Sequence, residues 1–205
     1  MHIRIANVLP AALLATLAAC QCNDCCSDST PQQAAPAQMS PEEAMAKTME
    51  LATPGAEHQR LAQMVGTWTN HYKMRWGPNE PWQEFDGTSE HELVLGGRYL
   101  QEDVSFEMMG MPMKGLQLLG YDRMSGEYTS LWADSMSTWW VEARGHVRPD
   151  HVIEFKGTMR DVAGERPYRM TVEHKGPDEV HMEMFDFIPP QGDFLTMTID
   201  SRRKQ

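Results

Sequence analysis

Several polar side chains sit where a strand's alternation would turn them toward an apolar interior. Arg98 and Glu102 share parity with Leu100, Val104 and Phe106. Asp134 shares parity with Tyr128 and Trp132. In the next segment two readings stay open: Trp140, Glu142, Arg144 and His146 form one face, and Trp139, Val141, Ala143 and Val147 the other. If the first set points inward, Trp132, Asp134, Trp140, Arg144 and His146 converge with Arg98 and Glu102. Apolar walls carrying a few placed polar groups are what a small-molecule cavity needs. In that reading Arg98 or Arg144 pairs with an anionic ligand group, the tryptophans supply apolar contact, and Asp134 and His146 supply hydrogen bonds. The competing reading is an internal arginine–carboxylate pair that satisfies only itself, because buried charges are normally paired. A one-residue slip in register would turn the whole set outward.

Other chemistry is weaker. The run Met108-Met109-Gly110-Met111-Pro112-Met113 offers thioethers, soft ligands suited to copper(I). The chain holds 17 methionines, however, and flexible methionines also pack hairpins onto cores. No Gly-x-Ser-x-Gly, His-Glu-x-x-His or phosphate-cradling loop is present. Glu102, Asp134 and His146 would be the acid–base candidates if buried. Binding is therefore expected rather than catalysis, with no bound metal and no cofactor. The formal net charge of −11 argues against nucleic-acid partners.

These residues need a scaffold, and the two-residue rhythm supplies one. Trp68, Tyr72, Met74 and Trp76 alternate with polar neighbours, and similar runs continue to Leu195, Met197 and Ile199. Gly77-Pro78-Asn79, Gly96-Gly97, Gly110, Ser125-Gly126, Pro149-Asp150, Ala163-Gly164, Gly176-Pro177-Asp178 and Pro189-Pro190 punctuate them. About ten strands joined by short hairpins predict a mainly β fold, one antiparallel barrel closed on itself, which removes exposed strand edges. Ahead of it, Ser40-Pro41-Glu42-Glu43 carries a helix cap, a first-position proline and a capping box. Ala44, Met45, Thr48, Met49 and Ala52 make a one-sided stripe, and Pro54-Gly55 ends that helix. A second short helix follows, with His58, Leu61, Ala62 and Val65 on one face.

The start of the chain has a different logic. Val8 to Ala19 is an apolar run of about a dozen residues, short of the roughly 20 needed to span a bilayer. It ends in Leu17-Ala18-Ala19-Cys20, which resembles the lipobox of bacterial lipoproteins. The resemblance implies a signal peptide over residues 1–19, lipidation of Cys20 and attachment to a membrane. With Gln21 next, it implies the outer membrane, facing the periplasm. Cys20, Cys22, Cys25 and Cys26 are all the cysteines, so no disulfide framework reaches the folded part. Residues 20–39, rich in Ser, Asp, Gln, Ala and Pro, read as a flexible tether to a domain over 40–205.

Leu61-Ala62-Gln63-Met64-Val65-Gly66-Thr67-Trp68 resembles the opening of calycin-type barrels, the lipocalins, fatty-acid-binding proteins and nitrobindins, in which the tryptophan packs across one barrel end. Leu95-Gly96-Gly97-Arg98-Tyr99-Leu100, Met109-Gly110-Met111-Pro112, Gly120-Tyr121-Asp122 and Trp132-Ala133-Asp134-Ser135-Met136-Ser137-Thr138 narrow the likeness. Together they resemble the bacterial domain-of-unknown-function family 1579 over about residues 56–203. The resemblance implies a calycin-like barrel in which Trp68 is a packing residue that also touches a ligand. The Gly-x-Gly-x-Tyr-Pro stretch of the haem-holding nitrobindins is replaced by Thr69-Asn70-His71-Tyr72, which argues against haem. The expected role is a lipid-anchored envelope protein that holds a small apolar or amphipathic molecule. The alternatives are a filled barrel acting as an interaction module, and copper handling through Met108 to Met113.

Overall fold

The computed structural model describes residues 39–162, 164–190 and 192–205. The expected signal peptide, Cys20 and the tether up to residue 38 lie outside the described residues. Ten antiparallel strands close into one ring: β1 (Gly66–Met74), β2 (Gln83–Val94), β3 (Tyr99–Met108), β4 (Met111–Asp122), β5 (Glu127–Asp134), β6 (Val141–Val147), β7 (Ile153–Asp161), β8 (Gly164–Gly176), β9 (Glu179–Ile188) and β10 (Gly192–Arg203). Each strand pairs with its sequence neighbour, and β1 pairs with β10 to shut the ring. The mainly β, calycin-like barrel expected from the rhythm is therefore the fold.

Tight hairpins make this topology local. Between β3 and β4, Met109 and Gly110 both adopt left-handed backbone, at φ 54° and 77°. A two-residue turn with both residues left-handed matches the twist of its flanking strands, and glycine meets that demand without a Cβ penalty. Met108 and Met111 pair directly across it.

Helices α1 (Pro41–Ala52) and α2 (Ala56–Ala62) precede the ring. Ser40 caps α1 through the Glu43 backbone N–H, and the Glu43 side chain returns to the Ser40 N–H, as the capping box predicts. The stripe of α1 does not pack inward, because none of its residues is buried. The helix is held instead at its C-terminus, where the Arg123 guanidinium donates to the carbonyls of Glu50 and Thr53. Helix α2 does cover the ring, resting on β3 and β4 with His58 and Leu61 buried. Val65 falls beyond its end and is exposed, a departure from the expected helix face.

Beneath α2 lies the dense part of the core: Leu61, Met64, Trp68, Leu100, Leu119, Tyr128, Ile153, Phe155, Val172 and Val180. Trp68 donates its indole N–H to the Met64 carbonyl at 2.8 Å. Arg203, near the end of β10, stacks 4.3 Å over the Trp68 ring. Its guanidinium also donates to the carbonyls of Gln63, Val65 and Pro177. One barrel end is thus sealed by a lid whose joints converge on Trp68 and Arg203.

Candidate functional site

The register decides which side chains line the lumen. On β1, Trp68, Asn70 and Tyr72 share the inward face and are buried. They stand opposite Ser89, Gly87 and Phe85 of β2. His91 of β2 faces Glu102 of β3, Glu102 faces Gln117 of β4, and Gln117 faces Trp132 of β5. Five adjacent strands therefore carry a belt of polar side chains around half of the interior.

Most of the belt is bonded to itself. Asn70 Nδ2 donates to Ser89 Oγ at 3.0 Å, and Ser89 Oγ lies 2.7 Å from His91 Nε2. His91 Nδ1 lies 3.1 Å from the Met64 carbonyl. A carbonyl only accepts, so Nδ1 carries the proton and Nε2 accepts from the Ser89 hydroxyl. Further round, Gln117 Nε2 donates to Ser130 Oγ at 2.7 Å. A hydroxyl set against an oriented imidazole has the form of an activated nucleophile. Ser89 is only 2% exposed, however, and His91 lies stacked under Trp68, so this pair orders the wall.

Glu102 breaks the pattern. Its Oε1 is buried without a hydrogen-bond partner, and its Oε2 lies 3.7 Å from His91 Nε2. Burial disfavours the carboxylate and pushes the Glu102 pKa up to about 8, so the acid is largely protonated at neutral pH. Burial likewise lowers His91 to about 4 and raises the Tyr72 phenol to about 12. The belt is therefore uncharged near pH 7.

The opposite wall, on β6 to β10, is largely apolar between its two ends, where Arg166 and Asp186 stand at the open end and Arg203 at the sealed one. Ala143, Phe155, Met170, Met182, Met184 and Ile199 face inward there. Methionine walls adapt to irregular shapes. Several inward side chains at mid-depth are only half-buried, among them Gln117, Trp132, Met182, Met184 and Ile199. The Glu102 side chain, deeply surrounded by protein, keeps 15% of its surface accessible.

The open end is framed by paired groups. Trp132 Nε1 donates to Asp134 Oδ2 at 2.9 Å, and Asp134 Oδ1 accepts from the Met136 N–H. Gly115, across from Asp134, lets the Trp132 ring lie flat on the backbone: a Cβ there would meet the ring at 2.1 Å. Arg166 sits between Asp161 at 2.7 Å and Asp186 at 3.0 Å. Tyr72, Phe85 and Phe106 stack on one another with centroids 4.9 to 5.3 Å apart.

The expected constellation is accordingly split. Trp68, Glu102, Trp132 and Asp134 face inward, although Trp68 belongs to the sealed end. Arg98, Trp140, Arg144 and His146 do not face inward, and this corrects the convergence expected of them. Arg98 lies in the turn before β3, where its guanidinium donates to the Leu95 carbonyl at 3.0 Å. β3 begins at Tyr99, so strand alternation does not reach Arg98. On β6 it is Val141, Ala143 and Gly145 that point in, opposite Trp132, Ser130 and Tyr128. Small residues there make room for large ones, and Arg144 and His146 stay in water. Arg144 and His146 pair outside with Glu127, each at 3.3 Å, and Trp140 is 62% exposed. Asn70, Ser89, His91 and Gln117 were not among the sequence candidates. For Ser89 and His91 the signal lies in β2, where the charged Asp86, Glu90 and Glu92 occupy one parity and Gly87, Ser89 and His91 the other.

Solved structures share this barrel. Rv2717c from M. tuberculosis superposes with a TM-score of 0.55 at 16% identity, covering 75% of this chain and 100% of its own. The S-type phycobiliprotein lyase CPES from Guillardia theta superposes with a TM-score of 0.53 at 10% identity, covering 77% of this chain and 97% of its own. At such identities the likeness is one of fold. No curated protein shows significant similarity to the chain. The sequence profile of the proteins of unknown function DUF1579 matches residues 53–203, and the chain belongs to that family.

Proposed function

We propose that this protein is a binding barrel that holds a small amphipathic molecule in its lumen, with the apolar body against the methionine wall and a polar group at the belt. The observation that carries the reading is the two-sided interior, polar on one wall and methionine-rich on the other, whose inward Gln117, Trp132, Met182, Met184 and Ile199 are only half-buried. An anionic head group is not favoured. Among the described residues the inward-facing arginines are engaged, Arg166 by two carboxylates and Arg203 by carbonyls and Trp68. The lipobox-like Leu17-Ala18-Ala19-Cys20 supports a lipid anchor on the outer membrane as the working location.

Two measurements test this. Titration of the full chain with the neutral probe N-phenyl-1-naphthylamine should show saturable binding at one site, weakened several-fold by Trp132→Ala. No saturable binding, together with an empty barrel in native mass spectrometry, sinks the reading. For the anchor, labelled palmitate should enter the protein in cells and be lost in Cys20→Ser. Incorporation that survives the substitution refutes it.

A second reading draws on Met108, Met111 and Met113, whose register puts three thioethers on the inward face at the open end. This arrangement suits a soft ion such as copper(I). A copper(I) titration unchanged by Met→Leu at all three positions removes it.

A further inference from the structure

We infer that the guest of this barrel carries a basic nitrogen, seated as an ammonium against Glu102. The inference rests on the lumenal binding reading and names the chemistry of its polar contact.

Two observations converge on it. First, Glu102 Oε1 is buried with no hydrogen-bond partner, in a belt where Asn70, Ser89, His91 and Gln117 are bonded to one another or to the wall. A buried polar atom left unsatisfied is costly, and a ligand donor placed there removes the cost. Second, the lumen leans acidic. Glu102, Asp134 and Asp186 face inward, and Arg166 at the mouth is held by Asp186 and Asp161. A carboxylate guest would meet these acidic groups while, among the described residues, the inward arginines are already engaged. An ammonium supplies the counter-charge with which Glu102 can ionise.

The titratable groups facing Glu102 are His91 on β2 and Tyr72 on β1. His91 is neutral above about pH 4 and Tyr72 below about pH 12. Glu102 is thus the group of this cluster that titrates between pH 6 and 9. An ammonium binds its carboxylate form, so complex formation below pH 8 releases one proton to solvent. Opposite charge favours the ionised acid, and affinity rises with pH until Glu102 is already ionised in the free protein.

The test uses three probes of equal chain length below their aggregation limits: decylammonium, decanol and decanoate, titrated calorimetrically into the full chain. Alkylamines stay protonated across pH 6 to 9, as lysine does. Decylammonium should bind at least about tenfold tighter than the other two at pH 8, and its affinity should rise about tenfold or more from pH 6 to pH 8. Glu102→Gln should abolish both the preference and the pH slope while still binding decanol. The inference is overturned if decanol or decanoate binds as tightly as decylammonium, or if the preference survives in Glu102→Gln. Should the neutral probe and decanol bind without any amine preference, the amine falls and the lumenal site stands. Should none of the probes bind, both fall together.

Discussion

His91 and Glu102 stand directly across the β2–β3 ladder with Nε2 and Oε2 3.7 Å apart, and both are uncharged at neutral pH because burial penalises either charge. Their effects on stability run in opposite directions. Glu102 is raised from 4.5 to about 8, so between those values the native state holds the extra proton and stability falls as pH rises. His91 is lowered from 6.5 to about 4, so between those values the unfolded state holds the extra proton and stability rises with pH. The two offset each other up to about pH 6.5, and above it the Glu102 loss acts alone until pH 8. Each unit corresponds to about 1.4 kcal/mol. Glu102→Gln should therefore gain roughly 2 kcal/mol or more on the wild type between pH 6.5 and 8.5, measured by urea unfolding. Parallel curves for the two proteins would refute the assignment.

The sealed end makes a separate prediction. Trp68 is 1% exposed and is held by a hydrogen bond, a stacked guanidinium and the packing under α2. Trp68→Ala should cost about 3–5 kcal/mol, the range for truncating a buried aromatic. Trp68→Phe should keep much of the packing while losing the hydrogen bond to Met64. Thermal unfolding that leaves Trp68→Ala within 1 kcal/mol of wild type would show that the lid does not depend on it.

Gly115 tests the mouth. A methyl group there has no room, because the Trp132 ring would lie 2.1 Å away and belongs to a rigid indole. Gly115→Ala should push Trp132 off Asp134, shift the tryptophan emission and weaken probe binding several-fold. Overpacking of this kind destabilises by about 1–3 kcal/mol, so the barrel should still fold. Unchanged probe affinity in a folded Gly115→Ala would detach Trp132 from the binding site.

Arg144 and His146 supply the contrast. Both lie outside on β6 within 3.3 Å of Glu127, in contacts open to solvent. Arg144→Ala and His146→Ala should change stability by less than about 0.5 kcal/mol and leave probe affinity unaltered. A large loss of binding in either would place the guest on the outer wall.

The barrel was legible in the sequence because its strands obey a two-residue rhythm and its hairpins are marked by Gly, Pro and Asp. Glu102, Trp132 and Asp134 were legible for the same reason, since each sits in an alternating run with large apolar neighbours. Arg144 and His146 were not, because β6 alternates between two plausible faces. Only its pairing with β5 and β7, where Ala143 and Gly145 meet Ser130, Gly157 and Phe155, chooses between them. The belt on β2 was hidden because Gly87, Ser89 and His91 are small or polar and break the apolar rhythm while facing inward. Arg203 carries no local signal. Its role depends on β10 returning beside β1, a contact 138 residues apart.

The Met64 carbonyl receives both the Trp68 indole and the His91 imidazole. It belongs to the short linker between α2 and β1, so a single main-chain oxygen is the hinge pin shared by the cap and the inner lining. Lifting the cap would strand two N–H groups at once and free the imidazole to exchange its proton between ring nitrogens. Uncapping and rewiring of the interior are therefore one event.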